Sequence, residues 1–506
     1  MRLDQRLREF SIIAIIWALP LLSGACTSDG GTNNSKSGDD RLQFINVTER
    51  VGLPIQTTRS WGSVWADFHS QDGRPDLFVN RHGRFPWLLA NGPEGFTLLE
   101  EDFYPEFVDR HGCAWGEANG DGLIDFLCTQ GADEGQGTGP KQLQIQTAEG
   151  FIDRAQQLGV ANPFGRGRST NWLDFDLDGD LDIFLGNKFR PPGQSNILYE
   201  NLGGRFRQTV VGLEAGLKTV NSTWADWDTD GDPDLLIMQY PPSRAVAYEN
   251  LRGVFSETEL GPLTGRAWLS AAWGDYNQDG LPDVHLVNQE EAVLAVNTGD
   301  RFRMQHEMAL DYGRMSAWID VDNDGISELF VVQGASKEEG MGSETNYPDF
   351  LLEKQSNGLV RLEESSIAGP RNGFGDAVSV ADYNRDGKLD LFVTNGYGPA
   401  PSKGPSILFE NESSAGNWIG LRLRGDSFNP LGFGSVISVR AGEVAYERML
   451  TDEFNFRSQS EVGYVHLGIG EATTADIEIE WPDGSTNCYS SPANQVVDAI
   501  KGSSDC

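Results

Sequence analysis

Between residues 42 and 415 the chain alternates short apolar runs with polar stretches rich in Asp, Asn and Gly. Apolar runs this short, bounded by turn residues, predict β-strands rather than helices. One stretch shows the unit. Asp182-Ile183-Phe184-Leu185 is followed by Ile197-Leu198-Tyr199-Glu200-Asn201, and after a Gly-rich turn by Arg205-Phe206-Arg207-Gln208-Thr209. A further strand precedes it and ends near a tryptophan. The same place holds Trp65, Trp115, Trp172, Trp224, Trp273 and Trp318, with Val380 in the last copy. Asn80, Gln130, Asn187, Gln239, Asn288, Gln333 and Asn395 recur at a second fixed place. Four short strands per unit of about 50 residues predict a β-propeller blade. Seven units predict an all-β, seven-bladed β-propeller followed by a small all-β C-terminal domain. The seventh unit stops after Asn411, before its fourth strand, and the stretch 42–48 reads as an unpaired fourth strand. The N-terminal strand is therefore expected to complete the last blade and leave no open sheet edge.

Each unit carries a loop of alternating carboxylates between its first two strands. In the third copy Asp174, Asp176, Asp178 and Asp182 occupy positions one, three, five and nine, with Gly179 at position six. Asp226, Asp228, Asp230 and Asp234 repeat it, as do Asp320, Asp322, Asp324 and Glu328. Asp275, Asn277, Asp279 and Asp283 replace one carboxylate with an amide, as do Asp382, Asn384, Asp386 and Asp390. Glu117, Asn119, Asp121 and Asp125 open with the longer Glu. The first copy, Asp67, Asp72 and Asp76, is one residue too long and has His69 where an oxygen is wanted, so a weak or empty site is expected there. Alternate side chains on a tight loop supply several oxygens to one hard cation, and glycine permits the turn. An EF-hand is excluded, because its twelfth position must be a bidentate Glu and here it holds strand residues such as Leu185 and Ile237. Mg²⁺ prefers fewer protein ligands, so up to about six or seven Ca²⁺ ions are expected.

The N-terminus reads as an export signal over residues 1–25. A basic start (Arg2, Arg6, Arg8) precedes an apolar run too short to span a membrane. Leu22-Ser23-Gly24-Ala25-Cys26 resembles a bacterial lipobox, in which Cys26 would be lipidated; the alternative is simple cleavage near Ala25. Residues 26–41 form a flexible polar tether. An exported protein is expected, either a lipoprotein of the outer membrane or cell surface, or one that is secreted or periplasmic. The formal charge of −36 argues against nucleic acid and anionic lipid as partners, leaving the lipid anchor as the contact with a membrane. About a third of the acidic residues lie in the seven loops. Cys113 and Cys128 flank the second loop, and Cys488 and Cys506 lie at the C-terminal end; both spacings admit disulfides suited to an oxidising compartment.

With these loops the chain resembles the FG-GAP/VCBS repeat family, the propeller type also found in integrin α-subunits. That resemblance implies structural Ca²⁺ in hairpins on one face. The longer connections at 131–140, 188–195, 334–348 and 396–405 would then lie on the opposite face as a binding surface. From Asn417 onward, Asn417-Trp418, Ser458-Gln459-Ser460, Leu467-Gly468-Ile469-Gly470 and Trp481-Pro482-Asp483-Gly484 resemble the ASPIC/UnbV domain of the cartilage acidic protein family. That domain is placed at 416–490, with a tail at 491–506. His466 stands where the family more often has an aromatic.

No His-Glu-Xaa-Xaa-His or Gly-Xaa-Ser-Xaa-Gly pattern is present, and the regularly spaced carboxylates read as metal ligands. Two functions follow, beside a third reading as a purely structural envelope or matrix component. The first is an adhesion-type module that binds protein or glycan on the face opposite the loops. The alternative is a polysaccharide hydrolase or lyase with its site in the channel or on the loop-bearing opposite face. Exposed aromatics beside an unpaired carboxylate pair would favour the enzyme.

Overall fold

The computed structural model describes residues 42–55, 60–99, 109–131, 142–161, 165–189, 194–209, 211–337, 344–356, 358–362, 375–395, 405–503 and 506. The export signal, Cys26, the tether and most of the four long connections lie outside them. The described chain is almost entirely β-structure, with one short helix at Ala155–Leu158.

Seven blades of four antiparallel strands form the propeller; six are separate four-stranded sheets, and the first is extended to six strands by Phe454–Asn455 and Ser458–Gln459, the latter pairing parallel with its inner strand. Their inner strands are Ser60–Ala66, Arg110–Gly116, Gly167–Leu173, Thr219–Ala225, Ser270–Gly274, Gly313–Ile319 and Gly375–Ala381. Each inner strand neighbours the next, and the seventh neighbours the first, so the ring is closed. The second strands, such as Asp182–Asn187, are buried along their whole length apart from Arg81 at the end of the first, which explains their uninterrupted apolar runs. The outermost strands are mostly exposed: in Phe206–Thr209 the phenylalanine is buried and Arg207 and Gln208 are exposed. Phe44–Asn46 pairs with Ile407–Asn411 as the fourth strand of the last blade, a shorter segment than 42–48.

Four of the six repeated tryptophans tie their blade to the one before it. The indole N–H of Trp65 donates to Ser379 Oγ, that of Trp172 to Ala114 O, that of Trp273 to Thr223 Oγ1 and that of Trp318 to Ala272 O. Cys113 and Cys128 face each other across blade two and are joined as a disulfide. Cys488 is joined to Cys506.

The C-terminal domain packs two sheets. One orders Tyr464–Gly470, Asn417–Arg424 and Gln495–Ile500; the other orders Val444–Met449, Val436–Ala441, Thr474–Glu480 and Thr486–Pro492. Thr474–Glu480 alternates exposed and buried residues strictly, as a strand with one wet face must. The stretch expected as a tail after residue 490 is part of this domain, because Gln495–Ile500 runs parallel to Asn417–Arg424.

The domain does not stand apart from the ring. Residues 452–460 leave it as a narrow hairpin, Phe454–Asn455 against Ser458–Gln459, and fill the propeller channel. An inner strand is a sheet edge, with unpaired N–H and C=O groups aimed at the channel axis. The hairpin supplies their partners. Ser458 Oγ accepts from Ser63 N, Gln459 bonds both N and O of Trp115, Asp452 accepts from Trp172 N, and Ser460 Oγ accepts from Val380 N. Asn455 bonds Asn221 and the carbonyl of Ser316. At the tip, Phe456 and Arg457 turn with positive φ. Arg457 there donates to Asp376 Oδ2 at 2.8 Å, while Arg314 pairs with the other oxygen of the same carboxylate.

Asp376 is fully buried between two arginines. Asp376→Ala is expected to cost about 3–5 kcal/mol, because it strands both guanidinium groups. Denaturant unfolding measures this, and an unchanged midpoint would show that the tip contact does not anchor the hairpin.

Candidate functional site

Six of the loops share one geometry, set by backbone conformation at two positions, and the first is one residue longer. The glycine after the third carboxylate has positive φ in every copy, from 78° at Gly122 to 98° at Gly179. Position four is also left-handed, as at Leu177, Thr229, Gln278, Asn323 and Arg385. These two turns fold the loop back so that its first carboxylate caps its own tip. Asp174 Oδ1 accepts from Asp178 N and Oδ2 from Gly179 N, and Asp226, Asp275 and Asp382 repeat both bonds. Asp320 keeps the bond to Gly325, and Glu117 reaches Asn119, Gly120 and Asp121 with one oxygen.

The position-nine carboxylate is buried in all copies and joins three strands. In blade three, Asp182 Oδ2 accepts from Phe175 N in the loop, and Oδ1 from Asn201 N at the end of the third strand. Asp76, Asp125, Asp234, Asp283 and Asp390 form the same pair of bonds, and Glu328 accepts from Val321 N. These residues, expected as metal ligands, are therefore also structural acceptors.

Positions three and five behave differently. In three loops, carboxylates gather with ligand atoms within 4.8 Å of one another: Asp174, Asp176 and Asp182; Asp226, Asp228 and Asp230; Asp320, Asp322 and Glu328. Asp178 and Asp324 complete the first and third sets in sequence. In loops five and seven, Asn277 and Asn384 turn their amides to Asp279 and Asp386, and Asn119 does so to Asp121 in loop two. Asp176 Oδ1, Asp320 Oδ1, Glu117 Oε2 and Asp67 Oδ1 are buried without a hydrogen-bond partner. Orphaned anionic oxygens crowded together fit a hard divalent cation, and the all-oxygen donor set suits Ca²⁺. The first loop has different surroundings. His69 is exposed and gives only its N–H, to Asp76. Arg385 donates to Gly73 O, and the Arg422 guanidinium fills the space a Gly73 side chain would need.

Burial pushes these carboxylates up, and neighbouring carboxylates add to it, while the Arg385 charge opposes the rise at Asp382. Asp174, Asp320, Asp382 and Glu117 rise to about 7, and Asp226 to about 6. At position nine Asp76 rises to about 6, Asp283 to about 7, and Asp234 and Glu328 to about 9; Asp125, Asp182 and Asp390 lie well above the usual range.

The C-terminal domain covers this face. Gly416 N donates to Asp322 O and Gly470 N to Asn323 O. His466 Nε2 lies 2.8 Å from Asn323 Oδ1, and its ring stacks on Trp418. His466 thus makes a polar contact to the sixth loop. Arg385 of the seventh loop pairs with Glu461. A side chain at Gly387 would strike Trp418, so the tip glycine also makes room for the domain.

Sequence reading missed two things here: the hairpin at 452–460 and the bonding role of the third-strand amides. Ser458-Gln459-Ser460 carried the first as a family motif, and the repeated Glu-Asn at 200–201 and 410–411 carried the second.

Fold and loops together define a β-propeller whose blades each carry an Asp-rich hairpin. The model for the FG-GAP-like repeat matches residues 174–237 and 320–393, each match starting at a first loop carboxylate, and the model "ASPIC and UnbV" matches residues 425–504. The chain therefore carries FG-GAP-like repeats followed by a C-terminal ASPIC and UnbV domain. No curated protein matches significantly. Among solved structures, it is similar to the BP39L lectin from Burkholderia pseudomallei (14% identity, 71% of this chain and 98% of that one, TM-score 0.48). It is also similar to an Agrocybe aegerita lectin that recognises non-reducing terminal N-acetylglucosamine (13%, 74% and 94%, TM-score 0.38). Saccharomyces cerevisiae Sqt1 is a third (11%, 90% and 100%, TM-score 0.39).

Two outcomes follow. Asp182→Asn removes one anionic acceptor from a doubly bonded position and is expected to cost about 1–3 kcal/mol with or without divalent cation. Asp176→Asn touches an oxygen with no protein partner, so its melting temperature is expected to differ from wild type only when Ca²⁺ is present. Equal behaviour of the two variants would dissolve the distinction. The second concerns pH without divalent cation. Folded-state carboxylate pKa values raised above the unfolded value contribute stability that is present below about pH 4 and lost as pH rises through about 6 to 9. The melting temperature in chelator is expected to fall from pH 5 to pH 8, and a rise would contradict the burial of these charges.

Proposed function

We propose that this chain is an exported, Ca²⁺-stabilised binding module that engages a protein or glycan through the face opposite the Asp loops. The C-terminal domain covers the loop face and its hairpin fills the channel, so the opposite mouth is the surface left to a ligand. The observation that carries the reading is a basic patch there, on a chain of formal charge −36. Arg168 donates to the Tyr240 hydroxyl at 2.9 Å, and Lys188 Nζ lies 3.7 Å above the same ring. Burial pushes the Tyr240 phenol up, yet Arg168, Arg457 and Lys188 outweigh it and hold it below its usual range. Burial lowers Lys188, and its cationic neighbours Arg168, Arg166 and Lys218 add to that. An aromatic ring among cations suits an anionic glycan or an acidic protein surface.

The hydrolase or lyase reading fares less well. Its channel site is filled by residues 452–460. The carboxylates at the mouth are engaged: Asp109 by His82 and His111, Asp376 by Arg314 and Arg457. Export accords with the two disulfides, which need an oxidising compartment. Anchoring through a lipidated Cys26 is part of the proposal, and Cys26→Ser is expected to move the protein from the membrane fraction to the soluble one.

Immobilised panels of acidic glycans and acidic proteins test the binding surface. Wild type is expected to bind one class in a salt-sensitive manner. Lys188→Ala and Tyr240→Ala are expected to weaken binding about tenfold or more while leaving the Ca²⁺-dependent melting temperature in place. Binding that survives both substitutions would move the site elsewhere.

A further inference from the structure

The mouth opposite the Asp loops holds a second group of metal-ligating side chains, different in chemistry from the loops. His82 follows the second strand of blade one, Asp109 precedes the inner strand of blade two, and His111 lies on that strand. One donor atom from each lies within 4.8 Å of the other two. Asp109 Oδ1 contacts Nε2 of both rings, and its distance to the His111 nitrogen is 3.1 Å.

An Asp–His hydrogen bond would be the ordinary account of such a contact, and three features go beyond it. The His111 side chain is 4% exposed, yet neither ring nitrogen makes an aligned hydrogen bond; Nδ1 of His82 is buried without one as well. Donors held at about 2.0–2.2 Å from one tetrahedral ion sit about 3.3 Å apart, close to the separation of His111 Nε2 from Asp109 Oδ1, while His82 Nε2 lies nearer to the same oxygen. Second, Gly131 leaves the pocket open. A Cβ there would lie 2.2 Å from Asp109 Oδ2 and 2.5 Å from His111 Nε2, so any side chain would occupy the space between the donors. Third, the rings are held in place. Trp61 stacks on His82 with centroids 3.6 Å apart and meets His111 edge-on.

We propose that His82, Asp109 and His111 form a site for a divalent transition-metal ion of the Zn²⁺ class, with a coordination position open to solvent. Two imidazoles and one carboxylate suit Zn²⁺ or its neighbours in the series, whereas the all-oxygen loops suit Ca²⁺. Side-chain exposures of 22% at His82 and 27% at Asp109 leave solvent access on one side. An ion held there would stand at the face where a ligand docks and would add a Lewis-acidic contact for an oxygen of that ligand. The inference uses other residues on another face, so it stands or falls apart from the calcium reading.

The test uses the full chain saturated with Ca²⁺, titrated with Zn²⁺ by calorimetry and with Co²⁺ by visible absorption. One Zn²⁺ per chain that Ca²⁺ does not displace is expected, with a Co²⁺ band of tetrahedral intensity. His111→Ala and Asp109→Asn are expected to lower Zn²⁺ affinity by at least about a hundredfold. Gly131→Ala keeps every donor and is expected to lose the ion by filling its space. Should the buried variants fail to fold, the more accessible His82→Ala decides, with the Ca²⁺-dependent melting temperature as the folding control. Zn²⁺ uptake that is absent in wild type, or unchanged in His82→Ala and Gly131→Ala, overturns the proposal.

Discussion

The propeller depends on a closed cycle of hydrogen bonds at the base of its loops. Residue two of each loop gives its N–H to the buried carboxylate at the loop's end, while its C=O accepts from a side chain of the following blade. Phe68 O accepts from Gln146, Ala118 O from Asn201, Phe175 O from Asn250, and Trp227 O from Asn297. Tyr276 O accepts from Lys354, Val321 O from Asn411, and Tyr383 O from Asn91, which returns to the first blade. The backbone of the same third-strand residue binds the loop carboxylate in blades one to five and seven. A change in any one loop is thus felt in two blades, and a cation that neutralises a loop also relieves the crowding of charge on which this cycle is built.

The C-terminal domain turns this ring into a one-sided object. It lies on the loop face through Asn323, Arg385 and the tip glycines, and it satisfies the edges of the inner strands through its hairpin. Asp452 shows how tightly this is made. Burial pushes its carboxyl up to about 7, and it is held by Trp172 N and the Asn171 amide. The domain is thereby both lid and axle, and the propeller's two faces acquire different roles.

The periodic features were readable from sequence because each recurs with every blade. Trp65 to Trp318, the Asp loops and the apolar second strands each repeat an unchanged local requirement. What escaped was not periodic. The hairpin at 452–460 has no strand-like pattern, because its partners are backbone edges scattered over 300 residues of chain, such as Ser63 and Val380. The dual role of Asp182 and its counterparts escaped for another reason: a metal ligand and a backbone acceptor are the same residue type at the same spacing. His82, Asp109 and His111 fall in two different blades, so no local motif announces them. The C-terminal strand at Gln495–Ile500 was hidden because its partner lies some 70 residues upstream.

The pairing of Phe44 with Asn411 has a consequence for the order of events in folding. The last blade lacks its outer strand until the two ends of the propeller segment meet, and that meeting joins positions 367 residues apart. Loop-closure entropy of this size makes such a step late and slow. The hairpin must seat later still or at the same moment, since the inner strands it bridges are brought to one axis only by the closed ring. Opening must then run in reverse, with the hairpin drawn out before the seam can part. A ring closed in this way resists opening through the order of its steps, a kinetic form of durability.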